Sequence, residues 1–397
     1  MTRTPTRTAL VSGAVLAAAL AVVLADELAD GIRAAALPLI RRDFGLSYGQ
    51  LGLLAAAPVL IGSLLELPVG ALAGQGRRRG RIILAGGAVF LAALLGTALA
   101  RSFTGLLIAF IAFYPASGAF VSLAQAGLMD ADPGRQEQHM ARWGLAGSVG
   151  AMLGPLLLTG ILAVGGGWRD GYLVAAGAAA VAWLGMARWR PGAVAADDPG
   201  PPALRQVPGQ VLGALRRAGV FRWLALLEVS DLLLDVFTGF LAVYFVAVAH
   251  ASPVQAALAV AVRYGAGIAG DVLVIRVLDR VAGLPVLRAS AAAALLLYPA
   301  FLLVPGFPGK LGVLALLTVA TAPWYPVAQA QLYASLPGQS GIAVTLSSAA
   351  ALVGGLGPLA VGFAAERAGL AVTLSGLVLA PAIVLYLAWR RTGAPCG

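Results

Sequence analysis

The chain has 397 residues, 60% of them hydrophobic and 11% charged, and a mean hydropathy of +0.90. A soluble domain carries about a quarter charged residues, so this balance excludes a water-soluble globular protein. The formal net charge of +10 is gathered in a few arginine-bearing loops, which argues against a nucleic-acid face, and a single cysteine, Cys396, excludes an internal disulfide and a cysteine-based metal site.

Twelve apolar segments follow one another, at 9–38, 48–74, 82–100, 104–128, 140–164, 170–189, 221–248, 254–278, 285–305, 309–333, 341–364 and 369–389. Each reaches or nears the roughly 20 residues that a membrane-spanning helix needs. Arg3 and Arg7 precede span 1, whose Val23-Leu24-Ala25 also resembles the end of a cleavable signal. Cleavage would remove the helix that carries Asp26 and Asp30, whose counterparts later in the chain keep theirs. Asp26, Asp30 and Arg33 lie at i, i+4 and i+7 and share one face of span 1. Glu27 points about 100° away, toward a neighbouring helix.

Span 2 carries Glu66 and Gly70 and is followed by Arg77, Arg78, Arg79 and Arg81. Span 4 contains Tyr114 and Gln125, and span 5 contains Gly147, Gly150, Gly154 and Pro155, a small-residue pattern suited to close helix packing. Pro191–Pro208 is rich in Pro and Gly and reads as a linker. Gln210–Ala218 has the apolar spacing of a short helix on the membrane surface. Glu228, Asp231, Asp235 and Thr238 form a stripe on span 7. Span 8 carries Arg263 and Asp271 and ends at Asp279-Arg280, and span 10 carries Trp324, Tyr325 and Gln329.

The second half repeats the first. A shift of 205 residues maps Asp26 to Asp231, Asp30 to Asp235, Gly62 to Gly267 and Glu66 to Asp271. A shift of 204 maps Ala124-Gln125-Ala126 to Ala328-Gln329-Ala330, and 203 maps Leu153-Gly154-Pro155-Leu156 to Leu356-Gly357-Pro358-Leu359. A parallel repeat of six spans predicts an all-α membrane protein of two pseudo-symmetric six-helix bundles, at 1–190 and 220–397, joined by a cytosolic linker at 191–219. Arginines crowd alternate loops and both ends, including Arg188, Arg190, Arg216, Arg217, Arg390 and Arg391. The positive-inside rule then predicts both termini in the cytoplasm.

These residues resemble the major facilitator superfamily over nearly the whole chain. Gly70, Leu72, Ala73, Gly76 and Arg77–Arg79 match the family's loop motif after span 2, with Gly74 and Gln75 where the family has Asp and Arg. Asp279-Arg280 keeps that pair after span 8. Gly150-x-x-x-Gly154-Pro155 is similar to part of the antiporter motif of the family's drug exporters, with Leu158 and Thr159 in place of its trailing glycines. Span 4 lacks the arginine that proton-coupled exporters use. The resemblance implies that spans 1 and 7 line a central cavity.

An acid in hydrocarbon costs at least about 2.5 kcal/mol. Eight fall inside the spans, not counting Asp170 at the first position of span 6, against two deep bases, Arg33 and Arg263. Such an excess is relieved by protons, by a water-filled cavity or by a cationic substrate. The expected site is therefore Asp26, Asp30, Arg33, Glu228, Asp231, Asp235 and Arg263, with Arg33 and Arg263 tuning the acids. Glu66, Gly70, Arg77, Arg78, Asp271, Asp279, Arg280, Gly150, Gly154 and Pro155 are the expected gating and motif positions. No phosphate-binding loop or dinucleotide fingerprint is present, and His139 and His250 are expected in loops on opposite faces. Neither an enzyme, a cofactor nor a bound metal is expected.

The reading is a proton-coupled exporter of small amphipathic or cationic molecules, monomeric, in the inner membrane, with substrate, protons and lipid as its partners. Proton-coupled uptake of a sugar or organic solute, divalent metal transport and a non-transporting sensor are the alternatives.

Overall fold

The computed structural model describes residues 13–73, 77–131, 136–189, 218–336, 346, 350 and 352–389. Among these residues the regular structure is helical throughout. The α-helices are α1 (Gly13–Phe44), α2 (Tyr48–Ala73), α3 (Arg77–Leu99), α4 (Phe103–Ser117), α5 (Leu123–Ala131), α6 (Gln136–Ala163), α7 (Trp168–Trp189), α8 (Ala218–Asp231), α9 (Phe237–Ala247), α10 (Pro253–Leu278), α11 (Gly283–Leu303), α12 (Phe307–Thr321), α13 (Trp324–Ala334), α14 (Gly357–Ala368), α15 (Leu370–Gly376) and α16 (Leu379–Trp389). Two π-turns interrupt them, Gly118–Ser122 between α4 and α5, and Leu232–Val236 between α8 and α9.

Nine helical stretches among the described residues are long and apolar enough to cross a membrane, and they correspond to spans 3–10 and 12. α1 corresponds to span 1 and carries the acidic stripe, and the first part of α2, Tyr48–Gly62, is apolar but shorter. Much of span 11 before α14, the linker and the loop motif at Gly74–Gly76 lie outside the described residues.

Contacts divide the chain into two compact units, Met1–Arg33 with Ala57–Gly200, and Ala34–Ala56 with Pro201–Gly397. In the first, α3 packs on α4 and α7. Phe90 stacks against Phe113 and Phe120 at 4.7 and 5.8 Å between ring centroids. The Trp183 indole donates to the Leu84 carbonyl at 2.8 Å, over the space left by Gly87. α1 and α6 meet backbone to backbone: a methyl group on Gly150 would stand 2.6 Å from the Leu24 carbonyl oxygen, and one on Gly154 would be 2.8 Å from the Ile32 nitrogen. The glycine spacing of span 5 therefore builds a helix crossing.

The second unit has an aromatic core of Phe237, Tyr244, Phe245, Tyr298 and Phe301. Lys310 is buried at the start of α12, where its ammonium donates to Tyr244 Oη (2.9 Å) and to the Phe301 and Leu302 carbonyls (2.8 and 3.0 Å). All three donors are used, and the free carbonyl end of α11 is capped. Tyr298 Oη donates to the Leu374 carbonyl at 2.6 Å, beside the break between α15 and α16.

Helix ends repeat as well. Gly45 closes α1 with a left-handed φ of +62°, and the Leu46 N–H returns to the Arg41 carbonyl at 2.9 Å. His250, 205 positions later, takes the same left-handed conformation after α9 with φ +54°. Ser47 and Gln50 then form a reciprocal capping box for α2, as Ser252 and Gln255 do for α10. The first repeat adds a distant partner. Glu366, at the end of α14, accepts from the Gly49 N–H at 3.1 Å and also bonds Tyr48 N–H and the Ser47 hydroxyl. Nearby, Gly52 and Gly362 let α2 and α14 touch through their backbones. His139, expected in a loop, is instead buried in the first turn of α6.

The hydrogen bond from Gly49 and its companions, with Arg41 nearby, hold the Glu366 carboxyl below its ordinary range. A depressed carboxyl gives stability that is complete above the unfolded-state value and is lost as pH falls through the folded-state value. Wild type should therefore melt above Glu366→Gln at neutral pH, and the gap should close on acidification below about pH 4. Equal melting temperatures at neutral pH would show that the cap contributes nothing.

Candidate functional site

In the first unit α1 places Asp26, Asp30 and Arg33 on one face, as their spacing requires. Arg33 Nε donates to Asp30 Oδ1 at 2.9 Å and Nη2 donates to the same oxygen. The two side chains are 35% and 38% exposed, so this ion pair is only part-buried. Asp26 is held differently. The Ser117 hydroxyl bonds its carboxyl, while its Oδ1 is buried without a hydrogen-bond partner. Ser117 is the last residue of α4, at the entry to the π-turn Gly118–Ser122. Glu27 faces α6, with its methylenes over Gly147 and Gly150.

One residue here is absent from the acidic pattern. Tyr172 of α7 is buried against Trp168 and Phe110, its hydroxyl has no hydrogen-bond partner, and the charges of Asp30 and Arg33 act on it. Two buried polar atoms without hydrogen-bond partners, Asp26 Oδ1 and Tyr172 Oη, thus accompany a part-buried ion pair. Buried groups of this kind call for water or a ligand.

In the second unit the stripe is Glu228 and Asp231 at the end of α8 and Asp235 inside the π-turn. The carboxyls of Asp231 and Asp235 come within hydrogen-bonding reach of each other, and the charge of Glu228 acts on Asp231. Glu228 lies against Gly354, whose N–H bonds its carboxyl. A methyl on Gly354 would collide with Glu228 Oε2 and stand 3.7 Å from Asp231 Oδ2. The repeat shows the exchange: a shift of 203 maps Ala151 to Gly354, and 205 maps Val23 to Glu228. The second unit has a carboxylate where the first has an isopropyl group, and has removed the methyl that would block it.

Arg263 of α10 is engaged by the backbone. Its Nη2 donates to the Leu233 and Leu234 carbonyls at 3.4 and 3.2 Å, and its Nε to Thr238 Oγ1 at 3.1 Å. The Asp235 charge also reaches it. Asp271 is exposed along α10, and Asp279 and Arg280 are exposed at its C-terminal cap. The side chains of Glu66, Arg77 and Arg78 lie outside the described residues, as does the surroundings of Gly70. Gly150, Gly154 and Pro155 belong to the α1–α6 crossing. Trp324 is core, donating to Ser290 Oγ at 3.1 Å, and Tyr325 is exposed. Among the described residues no three His, Cys, Asp or Glu side chains converge as metal ligands.

Two bundles of apolar helices with carboxyls inside the spans define a polytopic membrane transporter. The sequence matches the model of the Major Facilitator Superfamily over residues 16–358, and the chain belongs to that family. No curated protein matches it closely. Its fold is similar to that of a bacterial homologue of the human lysosomal transporter Spinster in its inward-facing, unoccupied conformation (16% identity, 96% of this chain and 98% of the other, TM-score 0.75). It is also similar to the D-xylose–proton symporter (14%, 95% and 97%, TM-score 0.73) and to the nucleoside transporter NupG (12%, 95% and 98%, TM-score 0.71).

Gly354→Ala should destabilise the protein by about 1–3 kcal/mol through overpacking. In a Glu228→Ala background the same change should cost little, since the colliding carboxyl is gone. A thermal-unfolding double-mutant cycle reads this coupling; additive effects would show that Gly354 and Glu228 do not meet.

Proposed function

We propose that this chain is a proton-coupled secondary active transporter that exports small amphipathic or cationic molecules by alternating access. The observation that carries the reading is the Asp231–Asp235 contact beside Glu228. Three acids stand on one stripe of span 7, and two of them are close enough to share a proton. Intramembrane carboxyls in such a setting mark proton or ion pathways. An arriving cation can displace the shared proton, because it supplies the positive charge that the pair otherwise takes from solvent. Asp26, Asp30 and Arg33, with Ser117 and Tyr172, form a second polar centre whose unpartnered oxygens can receive donors of the cargo. Arg263 tunes Asp235 across the span.

The domain reading is two six-span halves, 1–190 and 220–397, with the linker 191–219 in the cytosol. Both termini are placed in the cytoplasm and the protein in the inner membrane, on the arginine distribution. The protein is read as a monomer. Proton-coupled uptake is the second reading, supported by a fold similar to that of the D-xylose–proton symporter.

Ethidium and internal pyranine in proteoliposomes test both. An imposed pH gradient should drive ethidium against its own gradient, with protons moving the opposite way. Asp231→Asn and Asp235→Asn should keep ethidium exchange and lose at least about tenfold of the gradient-driven rate, one proton-binding step being removed. Undiminished drive in variants neutralised at Asp26, Asp30, Asp231 and Asp235 overturns the coupling. Protons moving in the same direction as ethidium favour uptake. An impermeant maleimide should label Cys396 of oriented vesicles only from the cytoplasmic side; labelling from outside reverses the topology.

A further inference from the structure

The π-turn of span 7 has no local cause. Leu232-Leu233-Leu234-Asp235-Val236 contains neither Pro nor Gly, and a leucine run is a strong α-helix former. A π-turn in such a run is rare and is found mostly at functional sites. Here the Phe237 N–H reaches back five residues to the Leu232 carbonyl, so the backbone accommodates one extra residue. The carbonyls that this insertion turns outward need donors from elsewhere, because an unsatisfied one inside a membrane costs several kcal/mol.

Those donors come from two side chains. Arg263 supplies N–H groups to the Leu233 and Leu234 carbonyls. Thr238 Oγ1 donates to the Leu234 carbonyl at 2.6 Å and accepts from Arg263 Nε. The guanidinium, hydroxyl and carbonyls thus close a polar knot on the turn itself. A lysine in place of Arg263 would present a compact ammonium that cannot span this fork of acceptors.

The turn also fixes the acids. An α-helix winds about 400° over four residues, overshooting a full circle by about 40°. A wider turn winds less, which draws Asp231 and Asp235 toward one line and into contact. Collapse of the turn to α-helix would rotate everything on one side of it by about 100°, the step of one residue. Asp231 would then stand about 40° around the helix axis from Asp235, and the alignment of the two carboxyls along one line would be lost.

We propose that Arg263 and Thr238 are positioning residues: together they hold span 7 in the π-turn that brings Asp231 and Asp235 together. The inference rests on the reading of that pair as the proton store, and the test separates the two. Infrared difference spectra between acid and neutral pH, on purified protein in lipid, read the protonated carboxyl stretch. Asp231→Asn and Asp235→Asn assign it. Thr238→Val and Arg263→Lys should replace the shared-proton band with that of isolated carboxyls, whereas Thr238→Ser, which keeps the hydroxyl, should retain it. A folded Thr238→Val protein with the wild-type band overturns the positioning role.

If wild type shows no band assignable to the pair, the proton-store reading fails and the turn is tested by distance alone. In a Cys396→Ser background, spin labels at Phe221→Cys and Leu296→Cys, both exposed positions of the second unit, report rotation of α8. A 100° rotation at a radius of about 5 Å moves a label by up to about 8 Å. Thr238→Val should shift the distance and Thr238→Ser should not; an unchanged distance in Thr238→Val and Arg263→Lys overturns the proposal.

Discussion

Inside hydrocarbon a backbone carbonyl or a carboxyl without a partner costs several kcal/mol, and the polar architecture of this chain follows from that constraint. Regular α-helix satisfies the backbone without outside help. Where the helix departs from it, at Leu232–Val236, a neighbouring span sends in a guanidinium whose donors match the exposed carbonyls. Where a helix ends inside the protein, a buried ammonium does the same, as Lys310 does for α11. The polar groups left incompletely satisfied, Asp26 Oδ1 and Tyr172 Oη, stand beside the acids of α1. Both positions fit the proposed path of cargo and protons.

The two units answer this constraint differently, although their sequences descend from one pattern. The first neutralises its second acid internally, by the Asp30–Arg33 pair on the same helix. The second has Thr238 at the position equivalent to Arg33, and its arginine arrives from α10 to grip backbone. It then adds Glu228 against Gly354. One half of the repeat therefore holds a fixed ion pair while the other concentrates acids that a proton or cation must relieve. The two halves differ at three repeat-equivalent positions: Arg33 against Thr238, Val23 against Glu228, and Ala151 against Gly354.

Much of this is legible in the sequence. Hydropathy and the shifted motifs give the helical membrane fold, and the i, i+4 spacing puts Asp26 with Asp30 and Asp231 with Asp235 on common faces. The capping boxes at Ser47 and Ser252, and the left-handed residues Gly45 and His250, extend the same 205-residue repeat and could have been read from it. The π-turn of span 7 could not, because Leu232–Val236 carries no breaker and the donors to its carbonyls come from Arg263 on another span. The Glu366 cap joins residues 317 positions apart, a distance at which no local pattern exists. Tyr172 looks like any interfacial aromatic until its hydroxyl is seen buried beside Asp30 and Arg33. Trp324 of span 10 likewise shows its role only in the structure, where it hydrogen-bonds Ser290 in the core.

The central claim is that the Asp231–Asp235 pair holds the proton that cargo displaces. Counting protons released when ethidium binds the purified protein in weakly buffered solution tests it most directly. The account predicts about one proton released per ethidium in wild type and none in the Asp231→Asn, Asp235→Asn double variant, with ethidium still bound. Undiminished proton release from the double variant would contradict it.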